Sequence, residues 1–594
     1  MKQLISLIFI FMGYVSFSQN DDERLAADYY QRGEFEKALI TYQKLYEEQP
    51  NNYNYIFYLI KTHQELEQFS AAESLIRSKI TIYQNPTLLI ELGYNHQLQG
   101  ASQKAKENYE EALSKIEERP DFAPLIGRQF EQHALLDYAI ETYKKAMALD
   151  PNLNFNRELA QIYGEQGNIE MLFSHYMAYI EVRPEYINTI KRQFSDFISE
   201  NSTNENNVLL RKLLLKKIQT EPETYWYELL SWLFMQEKDY DRAFTQEKAL
   251  FMRKRESLSR ILELAMTALG EKENDVATSI FNYVLENTQN VGTILIANQY
   301  LLDIEIATAP VKNRLEIQKK YNQLFSEYGI SPQTLGLQIA YANFLAFHLN
   351  QPETASDFLK ESLKLNISAL QQAAVKMKLA DILVFQEKFN EALIYYTQIQ
   401  TSSKNSTIAQ EARFKVAKTS YYKGDFEWAE SQLKILKAST SQLIANDALA
   451  LKLLISDNKY EDSLHVALKL YAKADLMAFQ NKNDEAISLL DKILTDHQGE
   501  SIEDQALFKQ AELLVQKHDY DKAIKNYELI IAYHNDGILV DDAYFYLAEL
   551  YNKTLDEPEK AKPLYEKIIF NHQDSIYFVE SRKQFRMLRG DAIN

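Results

Sequence analysis

The sequence predicts an all-α fold, an α-solenoid built from helix-turn-helix repeats. Small residues recur as Ala38, Ala72, Ala105 and Ala139 at steps of 34, 33 and 34, and again as Ala243 and Ala277. A fixed period of that length marks one supersecondary unit stacked on copies of itself. Leu, Ala, Glu, Lys and Gln run throughout, with only 15 Gly and 12 Pro in 594 residues to interrupt helices.

Residues 1–18 read as a secretory signal peptide. Lys2 gives the positive start, Leu4 to Phe17 the apolar stretch, and Ser16-Phe17-Ser18 the small residues of a cleavage site. The stretch is shorter than a membrane anchor, which crosses about 30 Å of hydrocarbon. The expectation is therefore an exported chain, periplasmic or secreted, starting near Gln19 and without membrane insertion. The absence of cysteine excludes disulfides, thiolate metal sites and a lipidated N-terminal cysteine. The net charge of −19 becomes −20 once Lys2 is lost (64 Lys+Arg against 84 Asp+Glu). A surface of that sign repels phosphate backbones and argues against nucleic acid as a partner.

Residues 19–184 form the first array. Its first unit reads Leu25-Ala26, Tyr29, Gly33, Ala38, Tyr42 and Pro50. The small residues let two antiparallel helices approach, Gly33 makes the turn, and Tyr42 packs into the next unit. The register returns with Gly93, Ala105 and Tyr109, with Gly127, Ala139 and Tyr143, and with Ala160, Leu172 and Tyr176. Residues 185–365 are a degenerate stretch, in which the 71-residue step from Leu172 to Ala243 holds one further helix pair. Residues 366–594 form a second array with a terminal capping helix. From Ala355 the steps to Ala392 and Ala429 are 37 each, and that to Ala486 is 57. The last two, to Ala523 and Ala561, are 37 and 38. The longer units predict extended loops and a change of superhelical pitch near residue 365. The 57-residue step predicts an extra helix over Ser441 to Ile455.

These positions resemble the tetratricopeptide repeat family, which asks for a small residue at the eighth position, an aromatic at the eleventh, Ala at the twentieth and Pro at the thirty-second. The resemblance covers residues 20–184 and 366–572. It implies a right-handed superhelix and a non-catalytic protein-binding role. The last hundred residues are similar to the repeats of periplasmic envelope-assembly proteins of this family. Asp462-Ser463-Leu464 and Asp574-Ser575-Ile576 resemble the O-glycosylation acceptor of Bacteroidota.

The family's groove positions carry over residue by residue. In the second array they give Met377, Phe414, Tyr471, Phe508 and Phe545 as an apolar ladder, beside Asp381, Lys418, Asp475, Glu512 and Glu549. Such a groove suits a peptide with apolar and basic side chains. In the first array Phe57, Lys61, Gln64, Ile90, Tyr94, Gln97, Arg128, Gln132, Arg157 and Gln161 suit an acidic or polar segment. Aromatics at helical spacing also pack between helices, so the ladder serves as core on the plainer reading.

No phosphate-binding loop, dinucleotide fingerprint, nucleophile elbow or zinc-protease motif is present. The expectation is no enzyme and no cofactor. His497, His534 and His572 recur at 37 and 38 residues. Stacked units lie about 10 Å apart, too far to share one metal whose ligands sit about 2 Å away; helix C-termini account for these histidines. Ser501 with Asp504 predicts a capping box. The last segment, Ser575 to Leu588, places Ile576, Val579, Phe585 and Leu588 on one side and carries Arg582, Lys583, Arg586 and Arg589. Capping is its first reading. Docking by this helix or by the convex face is the alternative to groove binding. Trp226 and Trp232 are expected to pack a helix pair rather than bind glycan.

Overall fold

The computed structural model describes residues 22–591 except 84, 256, 405, 437–440, 460–463 and 535–536. The expected signal peptide, residues 1–18, and the 462–463 half of the first acceptor pattern lie outside the described residues. Among those residues every regular element is a helix. No described helix is long and apolar enough to cross a membrane.

The chain divides into two compact units, residues 1–254 and 255–594. The degenerate stretch is shared between them: helices Ile187–Ser195 and Glu205–Thr220 belong to the first, Val291–Thr308 and Arg314–Tyr328 to the second.

One pair shows why the repeat forms. Helix Ser102–Glu118 carries Ala105, Tyr109, Ala112, Leu113 and Ile116 as one buried stripe, the spacing of a single helix face. That stripe packs on Thr87–Leu98, where the Tyr109 ring fills the space a side chain at Gly93 would occupy. A Cβ there would lie 2.6 Å from Tyr109 Cδ1 and 3.0 Å from the Ala105 carbonyl oxygen. The turn is left-handed at Gly100 (φ +74°), and Ala101 N–H returns to the His96 carbonyl at 2.9 Å, the usual way to satisfy helix C-terminal carbonyls. Trp226 is buried and Trp232 packs near Phe194.

The period seen in the sequence is the period of closest helix approach. Ala38, Ala72, Ala139 and Ala243 in the first unit are fully buried, as are Ala277, Ala355, Ala392, Ala429, Ala486, Ala523 and Ala561 in the second. The same steps recur in the left-handed turn residue, as Gly33, Glu67, Gly100, Ala134 and Gly167, and then as Asn350, Glu387, Gly424, Asn481, His518 and Asp556.

Part of the longer period comes from the helices in addition to the loops expected. Second helices such as Leu136–Leu149, Phe389–Ser402 and Tyr520–Tyr533 all have 14 residues. In the first two long units the first helices grow, from 13, 12 and 10 residues (Tyr53–Glu65, Thr87–Leu98, Ala123–Gln132) to 17 and 17 (Ala369–Phe385, Thr407–Lys423), whereas the later Val466–Phe479 and Ile502–Gln516 have 14 and 15. The added residues amount to about one helical turn. The extra helix runs over Gln442–Asn458 and packs on Phe426–Leu436 through Ala448, Leu451 and Ile455. Despite it, Val466–Phe479 still packs against Thr407–Lys423.

Candidate functional site

The first helices of the N-terminal unit form a wall tied together by a buried polar cluster. Helix Thr87–Leu98 packs between Tyr53–Glu65 and Ala123–Gln132. From it Glu91, fully buried, accepts hydrogen bonds from Gln129 Nε2 at 2.5 Å, and His133 Nε2 lies 2.7 Å from the same oxygen. Gln64 reaches the Glu91 carbonyl at 3.4 Å. Tyr94 stacks on His133 with ring centroids 3.9 Å apart. Ile90 is fully buried. Breaking such a desolvated network leaves uncompensated polar groups, costing several kcal/mol in comparable buried pairs.

Outside this cluster the N-terminal positions face solvent. Gln97, Arg128, Gln132, Arg157 and Gln161 are exposed, whereas Phe57, Lys61 and Tyr94 are half-buried. The Lys61 ammonium sits over the Phe57 ring at 4.4 Å, and Arg157 pairs with the adjacent Glu158 at 3.2 Å. Thus the wall presents guanidinium and amide groups over an aromatic floor.

In the C-terminal unit the corresponding positions are engaged with the chain itself. Met377 and Tyr471 are buried, and Phe414 packs half-buried on the core. Phe508 meets Tyr527 and Tyr546 edge-on at 5.7 and 5.6 Å, and Phe545 stacks on Tyr577 at 4.2 Å. Offset or edge-on aromatic pairs of this kind contribute about 0.5–1.5 kcal/mol beyond area burial. The acidic row is compensated. Lys415 lies 3.2 Å from Asp381, and Lys509 lies 3.6 Å from Asp475 and 3.2 Å from Glu512. Burial alone would lower Lys509, but these two carboxylates hold it above the ordinary lysine value. Glu549 pairs with Lys553. Lys418 lies over the Tyr422 ring at 5.7 Å.

One hydrogen bond recurs in both units. The second-helix tyrosine donates to a first-helix side chain, as Tyr109 to Gln97 at 3.0 Å and Tyr143 to Glu131 at 2.6 Å. Tyr396 to Asp381 and Tyr565 to Glu549 repeat it, each at 2.6 Å. Two acids of the sequence-predicted row therefore serve as acceptors that close their own helix pair. The signal that finds this bond is the pairing of the recurring second-helix tyrosine with a polar residue 12 to 16 positions earlier.

Residues 542–575 match the tetratricopeptide repeat family. The match takes in all but the first two residues of the pair Val540–Glu549 and Pro558–Asn571, with the Ala561, Tyr565 and Glu549 arrangement just described. Along almost its full length the chain is also similar to two solved structures. In the APC/C hetero-tetramer Cut9-Hcn1 the likeness covers 97% of this chain and 98% of that one, at 12% identity and a TM-score of 0.25. In Naa15/Naa10 bound to HypK-THB it covers 96% and 97%, at 12% identity and a TM-score of 0.27. No curated protein matches the chain.

The remaining sequence-predicted features lie within the helix-pair packing. His497, His534 and His572 each follow the last residue of a second helix, and their backbone N–H groups cap it. The imidazoles diverge: His497 Nδ1 lies 2.8 Å from Glu500, His534 3.9 Å from Glu503, and His572 beside the Tyr544 ring. No cluster of metal-ligating side chains occurs among the described residues. Ser501 makes no capping box with Asp504. Its hydroxyl points instead to Asn458 Oδ1 at 2.7 Å, tying the extra helix to the following repeat. Burial raises the Asp504 and Asp542 carboxyls above the usual range, and Tyr577 donates to Asp542 at 2.8 Å.

The terminal helix, Phe578–Arg589, corrects a second reading. Phe585 and Leu588 pack on the core of the last repeats and Ser581 is buried, whereas Ile576 and Val579 are 86% and 76% exposed. The four apolar residues therefore lie on opposite sides, because residues 572–577 form the turn entering the helix and Val579 follows the outward line of the basic residues.

Proposed function

We propose that this chain is an exported, non-catalytic scaffold of a bacterial cell envelope, which holds acidic or amide-rich segments of partner proteins on the first-helix wall of its N-terminal unit. The observation that carries the reading is the exposed row Arg128, Gln132, Arg157 and Gln161 beside half-buried Tyr94 and Phe57. Exposed guanidiniums supply steering and register, and the rings supply apolar contact at low entropic cost. The pattern of residues 1–18 supports export. The long, nearest-neighbour surfaces of helix-pair solenoids support a binding role.

The C-terminal positions Met377, Phe414, Lys418, Tyr471, Asp475, Phe508, Glu512, Phe545 and Glu549 have less free capacity, since their rings and charges already have partners in the chain.

The test is crosslinking of the full chain in cells, followed by mass spectrometry. Arg128→Glu with Arg157→Glu is expected to lose the crosslinked proteins by about tenfold at unchanged helicity. Equal recovery by the double variant removes the N-terminal wall from the reading.

A further inference from the structure

We propose that the outward face of the terminal helix docks a short acidic amphipathic helix of a partner protein. The face comprises Val579, Arg582, Lys583 and Met587, at spacings that bring these side chains to one side of a helix. Val579 and Met587 are 76% and 52% exposed, large apolar groups left in water although Phe585 and Leu588 anchor the opposite side. Between them stand Arg582 and Lys583, both exposed and without an ion pair to any described residue. Their neighbours Arg586 and Arg589 differ in that both approach Asp591.

The arrangement specifies its occupant. The two apolar ends are eight residues apart, about 12 Å at the helical rise. A complementary helix therefore carries two apolar side chains about two turns apart with carboxylates between them. Charge complementarity also selects a narrow acidic segment over an anionic lipid surface. A chain of net charge −19 repels an extended anionic plane, whereas a single helix touches only the basic strip. The surface is separate from the N-terminal wall, so the proposal stands or falls independently of it.

The test places a photo-crosslinking amino acid at position 583 or 579 of the full chain in cells and identifies the captured peptide by mass spectrometry. The expected product is a protein segment with at least two carboxylates within one helical turn, flanked by apolar residues. Arg582→Glu, tested with the crosslinker at 579, reduces its yield about tenfold, and reversing the captured carboxylates to lysine restores it. The Arg128→Glu, Arg157→Glu variant retains it. Capture of another copy of this chain, capture of no protein, or a yield insensitive to Arg582→Glu overturns the proposal. Sedimentation of the purified chain with phosphatidylglycerol vesicles that Arg582→Glu abolishes also overturns it, in favour of a lipid surface.

Discussion

The first helices of the two units start from one repeat plan and end with different surfaces. In the N-terminal unit they have 10 to 13 residues, and past their buried Glu91 cluster they leave Arg128, Gln132, Arg157 and Gln161 in solvent. In the C-terminal unit they reach 17, and the ends of Leu335–Phe347, Ala369–Phe385, Thr407–Lys423 and Val466–Phe479 come together. Phe347 lies 5.0 Å from Phe385 and 5.6 Å from Phe479, and Tyr422 stacks on Phe479 at 6.2 Å. Gln480 donates to the Phe385 carbonyl at 2.9 Å, Asn481 to the Phe347 carbonyl at 3.4 Å, and Lys473 pairs with Glu387 at 2.9 Å. These contacts join residues 95 and 134 positions apart in the sequence. The first-helix ends of the C-terminal unit thus bind one another, whereas those of the N-terminal unit leave polar side chains exposed.

The largest effect expected from this difference is on stability. Phe385→Ala removes a ring that is only 9% exposed from the cluster of helix ends, and a loss of about 3 kcal/mol is expected. Phe57→Ala removes a half-buried ring whose near neighbours are Tyr53, Tyr58 and Lys61, and about 1 kcal/mol is expected. Denaturant midpoints at constant m-value measure both. Equal losses break the comparison, since the wall of the N-terminal unit is then as self-engaged as the other.

A smaller effect tests whether the units differ in their helices and share their turns. Gly100 and Gly424 are both left-handed, at φ +74° and +82°. Replacing either with Ala is expected to cost about 1 kcal/mol. Ala134 adopts the same conformation at φ +55°, and Ala134→Gly is expected to stabilise by about 0.5 kcal/mol, because relief of the Cβ strain exceeds the entropy glycine gains unfolded. A cost at Gly100 without one at Gly424 places part of the period change in the turns.

The turn positions also show what a sequence of this kind conceals. The alanine period was legible because close helix packing admits only a small side chain, and packing repeats with the unit. The left-handed turn was legible at Gly33, Gly100 and Gly167 but not at Glu67, Ala134, Glu387 or Asp556, where the flanking helices impose a conformation the residue itself disfavours. Likewise the aromatic ladder could be read as spacing, whereas its engagement depended on ring partners such as Tyr527, Tyr546 and Tyr577 that spacing does not locate. At the terminus, the expectation that Ile576 and Val579 share a side with Phe585 and Leu588 fails on helix geometry, since Val579 and Leu588 are nine residues and so about half a turn out of phase, and Ile576 precedes the helix.

The smallest effect expected is a pH dependence in the N-terminal unit. His175 stacks on Tyr163 at 5.4 Å, its Nδ1 lies 2.7 Å from Asn156 Oδ1, and its Nε2 is buried with no hydrogen-bond partner. Burial, and then the Lys144 ammonium, hold its pKa below the ordinary histidine value. The unfolded chain therefore takes up the proton first as pH falls. Stability is full above the unfolded value near 6.5 and declines as pH drops through it toward the folded value. Burial and Arg314 shift His348 of the other unit in the same direction, so His175→Asn is expected to reduce the slope of unfolding midpoint against pH between 7 and 5 without abolishing it. Amide exchange across residues 156–182 localises the change to the helices that enclose the imidazole. An unchanged slope in that segment shows that the folded N-terminal unit accommodates the imidazolium as readily as the unfolded chain does.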